Sequence, residues 1–188
     1  MTRLFGRFLA AAFVVLAFAL PATAQTKLDL ENTLYLDTTY GRVVIQLRPD
    51  LAPKHVARIK ELTRTGFYNG VPFHRVIPGF MAQTGDPTGT GTGGSGKKIS
   101  AEFSNVPFKR GIVGMARASS PDSADSQFFI MFEETPSLNG QYTVLGQVVE
   151  GMEFVDKIKK GSGAGGTVSN PDKIVKMQVA ADVKPGAK

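Results

Sequence analysis

Residues 66 to 86, "GFYNGVPFHRVIPGFMAQTGD", carry the strongest structural signal in the sequence. Two short runs rich in β-forming residues, "FHRVI" and "FMAQ", stand on either side of a Pro-Gly pair, and glycine and asparagine precede them. Proline and glycine separate strands because they suit turns better than regular sheet. The stretch therefore predicts two short β-strands joined by a tight turn, with a single arginine, Arg75, in the first strand.

The same alternation of short strands and turns continues on both sides of this stretch. Residues 33–47 predict a β-hairpin, and the runs "GIVGMA", "SQFFIMF", "YTVLGQVV" and "KIVKMQV" predict further strands. Residues 52–66 and 151–161 instead repeat apolar residues at helical spacing, and the first of them has a proline near its start and a glycine at its end. Many short strands with two helices indicate a mainly β protein with a closed or nearly closed antiparallel sheet.

Residues 1–24 have the layout of a secretory signal peptide. Arg3 and Arg7 give a basic start, residues 8–20 form an apolar run, and "ATA" ends at Ala24 as a small-residue cleavage site. The apolar run is shorter than the roughly 20 residues that a membrane-spanning helix needs. We expect cleavage after Ala24 and a periplasmic location, or secretion from a cell without an outer membrane.

The remaining residues, 25–188, are expected to form one soluble domain with its core at about 31–180. Without the two arginines of the signal peptide, the 22 basic residues of the chain become 20, against 16 acidic residues. These basic residues are scattered, whereas nucleic-acid binding favours a basic stripe. The chain has no cysteine, which excludes disulfides and thiol chemistry. We expect a monomer that binds neither nucleic acid nor, after signal cleavage, a membrane.

Residues 89–98, "GTGTGGSGKK", look at first like a nucleotide-binding loop. Such a loop leaves a buried strand, opens a helix and ends in a Ser or Thr that holds magnesium. Here β-like residues and a proline follow, and Lys98 stands where the hydroxyl is needed. The glycine pattern recurs at 161–166, "GSGAGG", in a chain with 21 glycines, so it is not specific. We expect no nucleotide, no cofactor and no metal ion, and glycines that allow a tight turn.

Three blocks of the sequence resemble the cyclophilin family of peptidyl-prolyl cis-trans isomerases, and in particular an exported bacterial member. They are residues 66–86, "GIVGMARASSPDSADSQFFIMF" at 111–132, and "LNGQYTVLGQVVEGMEFVDKI", and the resemblance covers roughly residues 31–180. It implies a closed eight-stranded antiparallel β-barrel capped by two α-helices, with the active site on the outer surface of the barrel. It also implies rotation of X–Pro bonds in proline-containing polypeptides, which would be unfolded or folding exported proteins.

Arg75 resembles the catalytic arginine of the family. Rotation about an X–Pro bond makes and breaks no covalent bond, so it needs no nucleophile, cofactor or metal. When the bond twists and loses its resonance, the prolyl nitrogen regains a lone pair. A guanidinium can hydrogen-bond either this lone pair or the neighbouring prolyl carbonyl. The two histidines are expected to be structural or surface residues, since strand alternation turns His74 away from Arg75 and His55 falls in the first predicted helix.

By the same resemblance, eleven further residues bind the substrate. Four form an apolar proline pocket, two glutamines orient Arg75 and the substrate backbone, and the rest line the groove. They are Phe80, Met81, Phe129 and Leu138; Gln83 and Gln127; and Gly91, Ala116, Arg117, Ser137 and Tyr142. Strand alternation supports part of this set, because it puts Gln127 and Phe129 on one face and Phe128 and Ile130 on the other.

Three of these positions depart from the best-known eukaryotic members. Ser137 stands in place of a tryptophan that walls the pocket, Tyr142 in place of a histidine, and Arg117 in place of an asparagine. Tyrosine keeps an aromatic face and a hydroxyl, and Arg117 can act through its backbone, so we expect catalysis to survive. Loss of the tryptophan ring and its N–H donor predicts weak binding of the family's inhibitor, cyclosporin.

The main alternative to an enzyme is a peptide-binding chaperone of the same fold, whose isomerase activity would be incidental. An enzyme needs the complete set of residues that rotates the X–Pro bond, whereas a binding chaperone does not. All of Arg75, Phe80, Met81, Gln83 and Phe129 are present, which favours the enzyme.

Overall fold

A computed structural model describes residues 28–184 of the 188-residue chain. The predicted signal peptide and its cleavage site lie outside the described residues, so both stay predictions. No helix within residues 28–184 is long and apolar enough to cross a membrane.

Eight antiparallel strands form a single sheet. They are β1 (Thr33–Thr38), β2 (Gly41–Leu47), β3 (Arg75–Ile77), β4 (Met81–Thr84), β5 (Ile112–Met115), β6 (Phe128–Met131), β7 (Val144–Glu150) and β8 (Lys176–Val179). Their order across the sheet is β3-β4-β6-β5-β7-β2-β1-β8. The helices are α1 (Pro53–Arg64), which packs against β8, and α2 (Met152–Lys157), which packs against β2. Short 3-10 helices lie at Leu30–Asn32, Pro121–Ser123, Pro136–Leu138 and Ala180–Asp182.

Most of these elements coincide with the predicted ones. β1 and β2 form the predicted hairpin, in which Thr38 pairs with Gly41 across the turn. α1 begins at Pro53, and the chain leaves it at Gly66, whose φ of +75° suits the left-handed turn that ends many helices. α2 is shorter than predicted, because Ile158 already has an extended backbone, although its side chain is buried.

The predicted closed barrel is wrong, because the sheet curls through 205° and stays open. Its two edges, β3 and β8, do not pair with each other. Residues 158–175 fill the gap between them, with hydrogen bonds from Gly70 N–H to the Ile174 carbonyl (2.7 Å) and from Val76 N–H to the Gly166 carbonyl (2.8 Å). This segment contains four glycines and a proline, residues that weaken or interrupt strands, and it forms isolated bridges in place of a regular ladder.

Side chains on the two faces of the sheet build two separate hydrophobic clusters. On β6, Phe128 and Ile130 join the main core, which also takes in side chains of α1 and α2. Phe129 and Met131 point the other way, into a smaller cluster. The alternation predicted for this strand is thereby confirmed. Because the main core fills the inside of the curled sheet, the smaller cluster lies on its outer side.

Candidate active site

A cavity of about 270 Å³ opens over the outer cluster. Ten of the twelve predicted site residues line it: Arg75, Phe80, Met81, Gln83, Gly91, Ala116, Arg117, Phe129, Leu138 and Tyr142. Gln127 lines an adjoining cavity of about 370 Å³, whereas Ser137 lines neither cavity. The fold thus brings together nearly all of these residues from distant parts of the chain, and their roles in binding and catalysis stay predictions.

Four residues that line the cavity were not predicted: His74, Gly89, Thr90 and Thr167. His74 precedes β3 by one residue, so the alternation that was expected to turn it away from Arg75 does not apply. Gly89 and Thr90 adjoin Gly91 in the glycine loop, and the resemblance to cyclophilins implies that this loop borders the substrate groove, although it singles out only Gly91. No pattern marks Thr167, which comes from the segment that fills the open side of the sheet.

Packed aromatic rings form the floor of the cavity. Phe129 and Phe108 stack with their ring centroids 5.9 Å apart, and Tyr142 meets Phe129 edge to face at 5.8 Å. Met81 belongs to the same cluster and is almost completely buried. Gly114 leaves room for the rings, since a Cβ at that position would lie 2.5 Å from the Phe129 ring. The floor is therefore tightly packed and apolar, which suits a small apolar ring.

Two hydrogen bonds hold Arg75 at the polar side of the cavity. Its Nη1 donates to Gln83 Oε1 at 3.1 Å, and its Nε donates to the carbonyl oxygen of Gly165 at 3.0 Å. Neither bond uses Nη2, so a guanidinium nitrogen with two N–H groups remains for a ligand. Within residues 28–184 no carboxylate forms an ion pair with Arg75. The guanidinium is therefore held in place, and no carboxylate of the described residues neutralises its charge.

Gln83 and Gln127 form a relay of hydrogen bonds from Arg75 to the glycine loop. Gln83 Nε2 donates to Gln127 Oε1 at 2.8 Å, and Gln127 Nε2 donates to the carbonyls of Gly91 (3.1 Å) and Gly93 (2.8 Å). A guanidinium can only donate, so its bond to Gln83 fixes the direction of every later bond in the relay. The predicted role of the two glutamines in orienting Arg75 requires an arrangement of this kind.

The glycine loop consists of residues 89–98, and its first half wraps around the buried carboxylate of Asp86. Asp86 accepts hydrogen bonds from the backbone N–H groups of Thr88 (2.8 Å), Gly91 (2.7 Å) and Gly93 (3.0 Å). Burial raises the pKa of Asp86, but bonds from the Thr88 hydroxyl and from these amides outweigh burial and lower the pKa to about 2. The loop is therefore organised by a carboxylate that stays ionised.

The second half of the loop is arranged around Asp125 in the same way. The backbone N–H groups of Ser95 and Gly96 donate to its two oxygens at 3.0 and 2.9 Å. Amide groups that would hold a phosphate in a nucleotide-binding loop are thus used by two carboxylates, whose negative charge also opposes an anion. This arrangement gives a physical reason for the prediction that the loop binds no nucleotide.

Arg117 and Tyr142 form another part of the cavity wall. The Arg117 guanidinium lies 4.6 Å from the centroid of the Tyr142 ring, a cation–π contact, and Nη2 donates to the Gln141 carbonyl at 3.0 Å. Arg117 was expected to act through its backbone, and the structure shows that its side chain also holds the pocket aromatic. Ser137 is exposed on the 3-10 helix Pro136–Leu138, one residue before the cavity-lining Leu138.

The two histidines are both buried. Burial lowers the pKa of His74, so its imidazole is neutral at neutral pH despite the nearby Asp86 carboxylate. The His55 side chain is fully buried, and its Nδ1 lies 2.7 Å from Glu102 Oε2. Glu102 also accepts hydrogen bonds from the first amides of α1, so His55 has a structural role, one of the two roles expected for it.

The residues that line the cavity include one histidine, His74, and no carboxylate. In the part of the chain that the structure describes, no group of three or more His, Cys, Asp or Glu residues could hold a metal ion. The cavity instead combines an apolar floor with one positioned cation. It can hold a small apolar ring and donate hydrogen bonds to a polar atom attached to that ring.

Comparison with known proteins agrees with this geometry. The family model described as "Cyclophilin type peptidyl-prolyl cis-trans isomerase/CLD" matches residues 33–179. The chain belongs to this family. The cyclophilin is 58% identical over 188 aligned residues to a probable peptidyl-prolyl cis-trans isomerase of Brucella suis, an alignment that covers 93% of this chain and 95% of the relative. It is therefore a peptidyl-prolyl cis-trans isomerase of the cyclophilin type.

Two solved structures are similar to the cyclophilin in fold. A cyclophilin from Hirschia baltica superposes with a TM-score of 0.75 at 29% identity, over 84% of this chain and 77% of that one. A cyclophilin-type isomerase from Cryptosporidium parvum, solved in the presence of the dipeptide Ala-Pro, superposes with a TM-score of 0.71 at 31% identity. That comparison covers 78% of this chain and 98% of the Cryptosporidium chain.

Proposed function

We propose that this cyclophilin rotates X–Pro bonds by seating the proline ring on the aromatic floor while Arg75 donates a hydrogen bond to the twisted bond. The observation that supports the proposal is that the guanidinium of Arg75 and the floor residues Met81 and Phe129 line one cavity. As the bond twists, the prolyl nitrogen regains its lone pair. A donor placed there favours the twisted state over the planar ground states, which is the requirement for catalysis.

Energetic estimates indicate that Arg75 does not act alone. The rotational barrier of an amide is about 18–20 kcal/mol. Uncatalysed exchange takes tens of seconds. To reach a catalysed rate of about 10³ per second, the protein must lower the rotational barrier by roughly 5.5–7 kcal/mol. A hydrogen bond from a charged donor contributes about 1.5–3 kcal/mol. The rest must come from a rigid, partly dehydrated cavity in which the donor is already oriented, as the bonds to Gln83 and Gly165 provide.

The proposed substrates are proline-containing polypeptide chains in an extended conformation. The adjoining cavity shares Gln83, Gly91, Ala116 and Arg117 with the first, so the two form a continuous groove. A groove of this length has room for residues on one side of the proline as well as for the proline itself. The similar Cryptosporidium isomerase was solved with a proline dipeptide, which supports the same substrate class here.

We further propose that the clients are exported proteins that fold in the periplasm. The support comes from the signal-peptide layout of residues 1–24, with its basic start and small-residue cleavage site. Intact-mass measurement of the protein from the envelope fraction should give a chain that begins at Gln25. A membrane-bound form that retains residues 1–24 would contradict export and cleavage.

The mechanism can be tested with Arg75→Ala. Loss of a charge-assisted bond alone predicts roughly a 10- to 150-fold loss of activity, and misplacement of the substrate should extend the loss to two or more orders of magnitude. Protease-coupled or NMR exchange assays on a proline peptide give the rate, and thermal unfolding checks the fold. Arg48→Ala is the control, because Arg48 is an exposed arginine paired with Asp50 outside the cavity. Near wild-type rates for Arg75→Ala would refute the assigned role.

A further inference from the structure

Residues 161–167, "GSGAGGT", form a tight turn that we call the glycine hairpin. Ser162 and Thr167 face each other in an antiparallel bridge, and the N–H group of Ser162 donates to the Thr167 carbonyl at 3.1 Å. Gly166 N–H donates to the Gly163 carbonyl at 3.2 Å and closes the turn. The glycine pattern that recurs at 161–166 is therefore a compact hairpin and not the start of a helix.

The glycine hairpin docks on the edge of β3 that the open sheet leaves without a partner strand. Gly161 N–H donates to the Val76 carbonyl, and Val76 N–H donates to the Gly166 carbonyl, both at 2.8 Å. On the other side of Arg75, Val168 N–H donates to the His74 carbonyl at 3.1 Å. Backbone bonds thus attach the hairpin to the residues immediately before and after Arg75.

One carbonyl of the hairpin then reaches the Arg75 side chain. Nε of Arg75 donates to the Gly165 carbonyl at 3.0 Å, while Nη1 donates to Gln83 Oε1 at 3.1 Å. Bonds at two edges fix both the position and the plane of the guanidinium, and they leave Nη2 for the substrate. Without the Gly165 bond, one bond to Gln83 would remain, and the long side chain could adopt other rotamers.

We propose that the glycine hairpin is a positioning element for Arg75, and that it controls the rate of the rotation step through the Gly165 carbonyl. The inference rests on the proposed role of Arg75. It assigns a function to a segment that contributes only Thr167 to the lining of the cavity. Arg75 is a residue of the cavity, whereas Gly161, Gly165 and Gly166 act through it.

Two of the hairpin glycines leave no space for a side chain. Gly166 has a φ of +68°, and a Cβ there would clash with Ile77 Cγ1. A Cβ at Gly161 would clash with the Gly166 carbonyl oxygen. By contrast, a Cβ at Gly163 would meet nothing within 4 Å although its φ is +66°, and a Cβ at Gly165 would be in ordinary contact with Thr167. The chain therefore offers matched sites at which backbone strain and steric displacement can be separated.

The first test is Gly166→Ala, which must push the hairpin away from Ile77 and so move the Gly165 carbonyl. We expect kcat on a proline peptide to fall roughly 10-fold, the lower end of what a bond to a charged group controls, with little change in KM. Gly163→Ala is the control for strain, because it has a similar φ and open space around its Cβ. Gly70→Ala is a second control outside the hairpin, because Gly70 has a φ of +80° and a Cβ there would meet nothing within 4 Å. Both controls should keep the wild-type kcat.

A compensating variant tests whether the displacement is the cause. Ile77→Ala removes the nearest atom that a Cβ at Gly166 would meet and leaves only the tight contact with the Val76 carbonyl, whose oxygen would lie at 3.1 Å. Gly166→Ala should therefore reduce kcat less in the Ile77→Ala background than in the wild type. Arg75→Ala supplies a second background. Because the hairpin acts through the guanidinium, Gly166→Ala should cause no further loss once Arg75 is absent.

The outcomes separate the inference from the proposed function. Wild-type kcat for Gly166→Ala together with a large loss for Arg75→Ala would overturn the inference and leave the function standing, whereas full activity of Arg75→Ala would overturn the function. An equal loss from Gly166→Ala in the Arg75→Ala background would show a general scaffold role and also overturn the inference. If Gly166→Ala does not fold, NMR on the wild-type protein decides. A scalar coupling across the bond from Arg75 Nε to the Gly165 carbonyl carbon is expected, and its absence would contradict the proposal.

Discussion

Arg75 and Gln83 face each other across the β3–β4 ladder, and the side chain of the first donates to the side chain of the second at 3.1 Å. Strand register therefore positions the cation before any ligand arrives. The pairing also makes Gln83 the link between Arg75 and Gln127, because its oxygen and its amino group are each used once. The polar side of the cavity is therefore a chain of hydrogen bonds in which Arg75 donates to Gln83 and Gln83 donates to Gln127.

Replacement of Gln83 tests this relay. Gln83→Leu removes both bonds, so the Arg75 guanidinium should lose one of its two anchors and kcat/KM should fall roughly 10-fold. Gln83→Glu keeps an acceptor for Arg75 but cannot donate to Gln127. Its kcat/KM should therefore lie between that of the wild type and that of the leucine variant. Steady-state kinetics on a proline peptide measure both, with Gln147→Leu on the exposed side of β7 as the control. An unchanged Gln83→Leu enzyme would mean that the β3–β4 register and the Gly165 bond orient Arg75 without Gln83.

The Asp86 carboxylate should make stability depend on acid pH. Its folded-state pKa of about 2 lies below the ordinary value of 3.8, so its contribution is complete above about pH 4 and is lost as the pH falls towards 2. Asp86→Asn should lower the free energy of unfolding by about 1–3 kcal/mol at pH 7 and should remove this part of the acid dependence. Thermal unfolding between pH 2 and pH 7 measures both effects. Glu134→Gln is the control, since that carboxylate is exposed and forms no ion pair within residues 28–184. A variant whose stability follows pH as the wild type does would contradict the role of Asp86.

Cyclosporin should inhibit this cyclophilin weakly, and Ser137→Trp should raise its affinity. A tryptophan would add 150–250 Å² of surface, and burial of a quarter of it is worth about 1–1.5 kcal/mol. An indole N–H bond would add about 0.5–1.5 kcal/mol, so the combined gain is roughly 10- to 150-fold in affinity. Inhibition assays should show that gain with little change in turnover of a small proline peptide. Ser137→Ala is the control, and equal affinity of the wild type and the tryptophan variant would show that position 137 does not reach the inhibitor.

The glycine loop at 89–98 should bind no nucleotide. Its amides at Gly91, Gly93, Ser95 and Gly96 already donate to two carboxylates. A phosphate would have to replace these carboxylates as the acceptor and would be repelled by their negative charges. Isothermal titration calorimetry with ATP, GTP and NAD should show no binding. Micromolar affinity for any of the three would contradict this account of the loop.

Local pattern was enough to predict the parts of the fold that depend on neighbouring residues. The β1–β2 hairpin, the start of α1 at Pro53 and the alternation of Phe128 and Phe129 all follow from periodicity and turn chemistry. The site set came from resemblance, because nothing in the spacing of Arg75 and Tyr142 shows that they share a cavity.

The features that sequence reasoning missed are long-range and involve the backbone. Gly165 lies 90 positions from Arg75, and the bond between them uses a carbonyl that every residue possesses. The hydrogen bonds between Asp86 and the glycine loop likewise join a carboxylate to backbone amide groups. No periodic sequence pattern predicts such bonds. The open sheet was missed for a related reason, since strand counting does not reveal whether the chain between α2 and β8 can complete a ladder.

The docking of the glycine hairpin on β3 also bears on aggregation. Extended polypeptides readily add to an unprotected strand edge. An open half-barrel has two such edges. Bonds to Val76 and His74 occupy the edge beside the cavity, and the Asn69 side chain accepts the Met177 N–H on β8 at 3.0 Å. The strand edge beside the cavity is therefore not free to act as a template for intermolecular β-pairing.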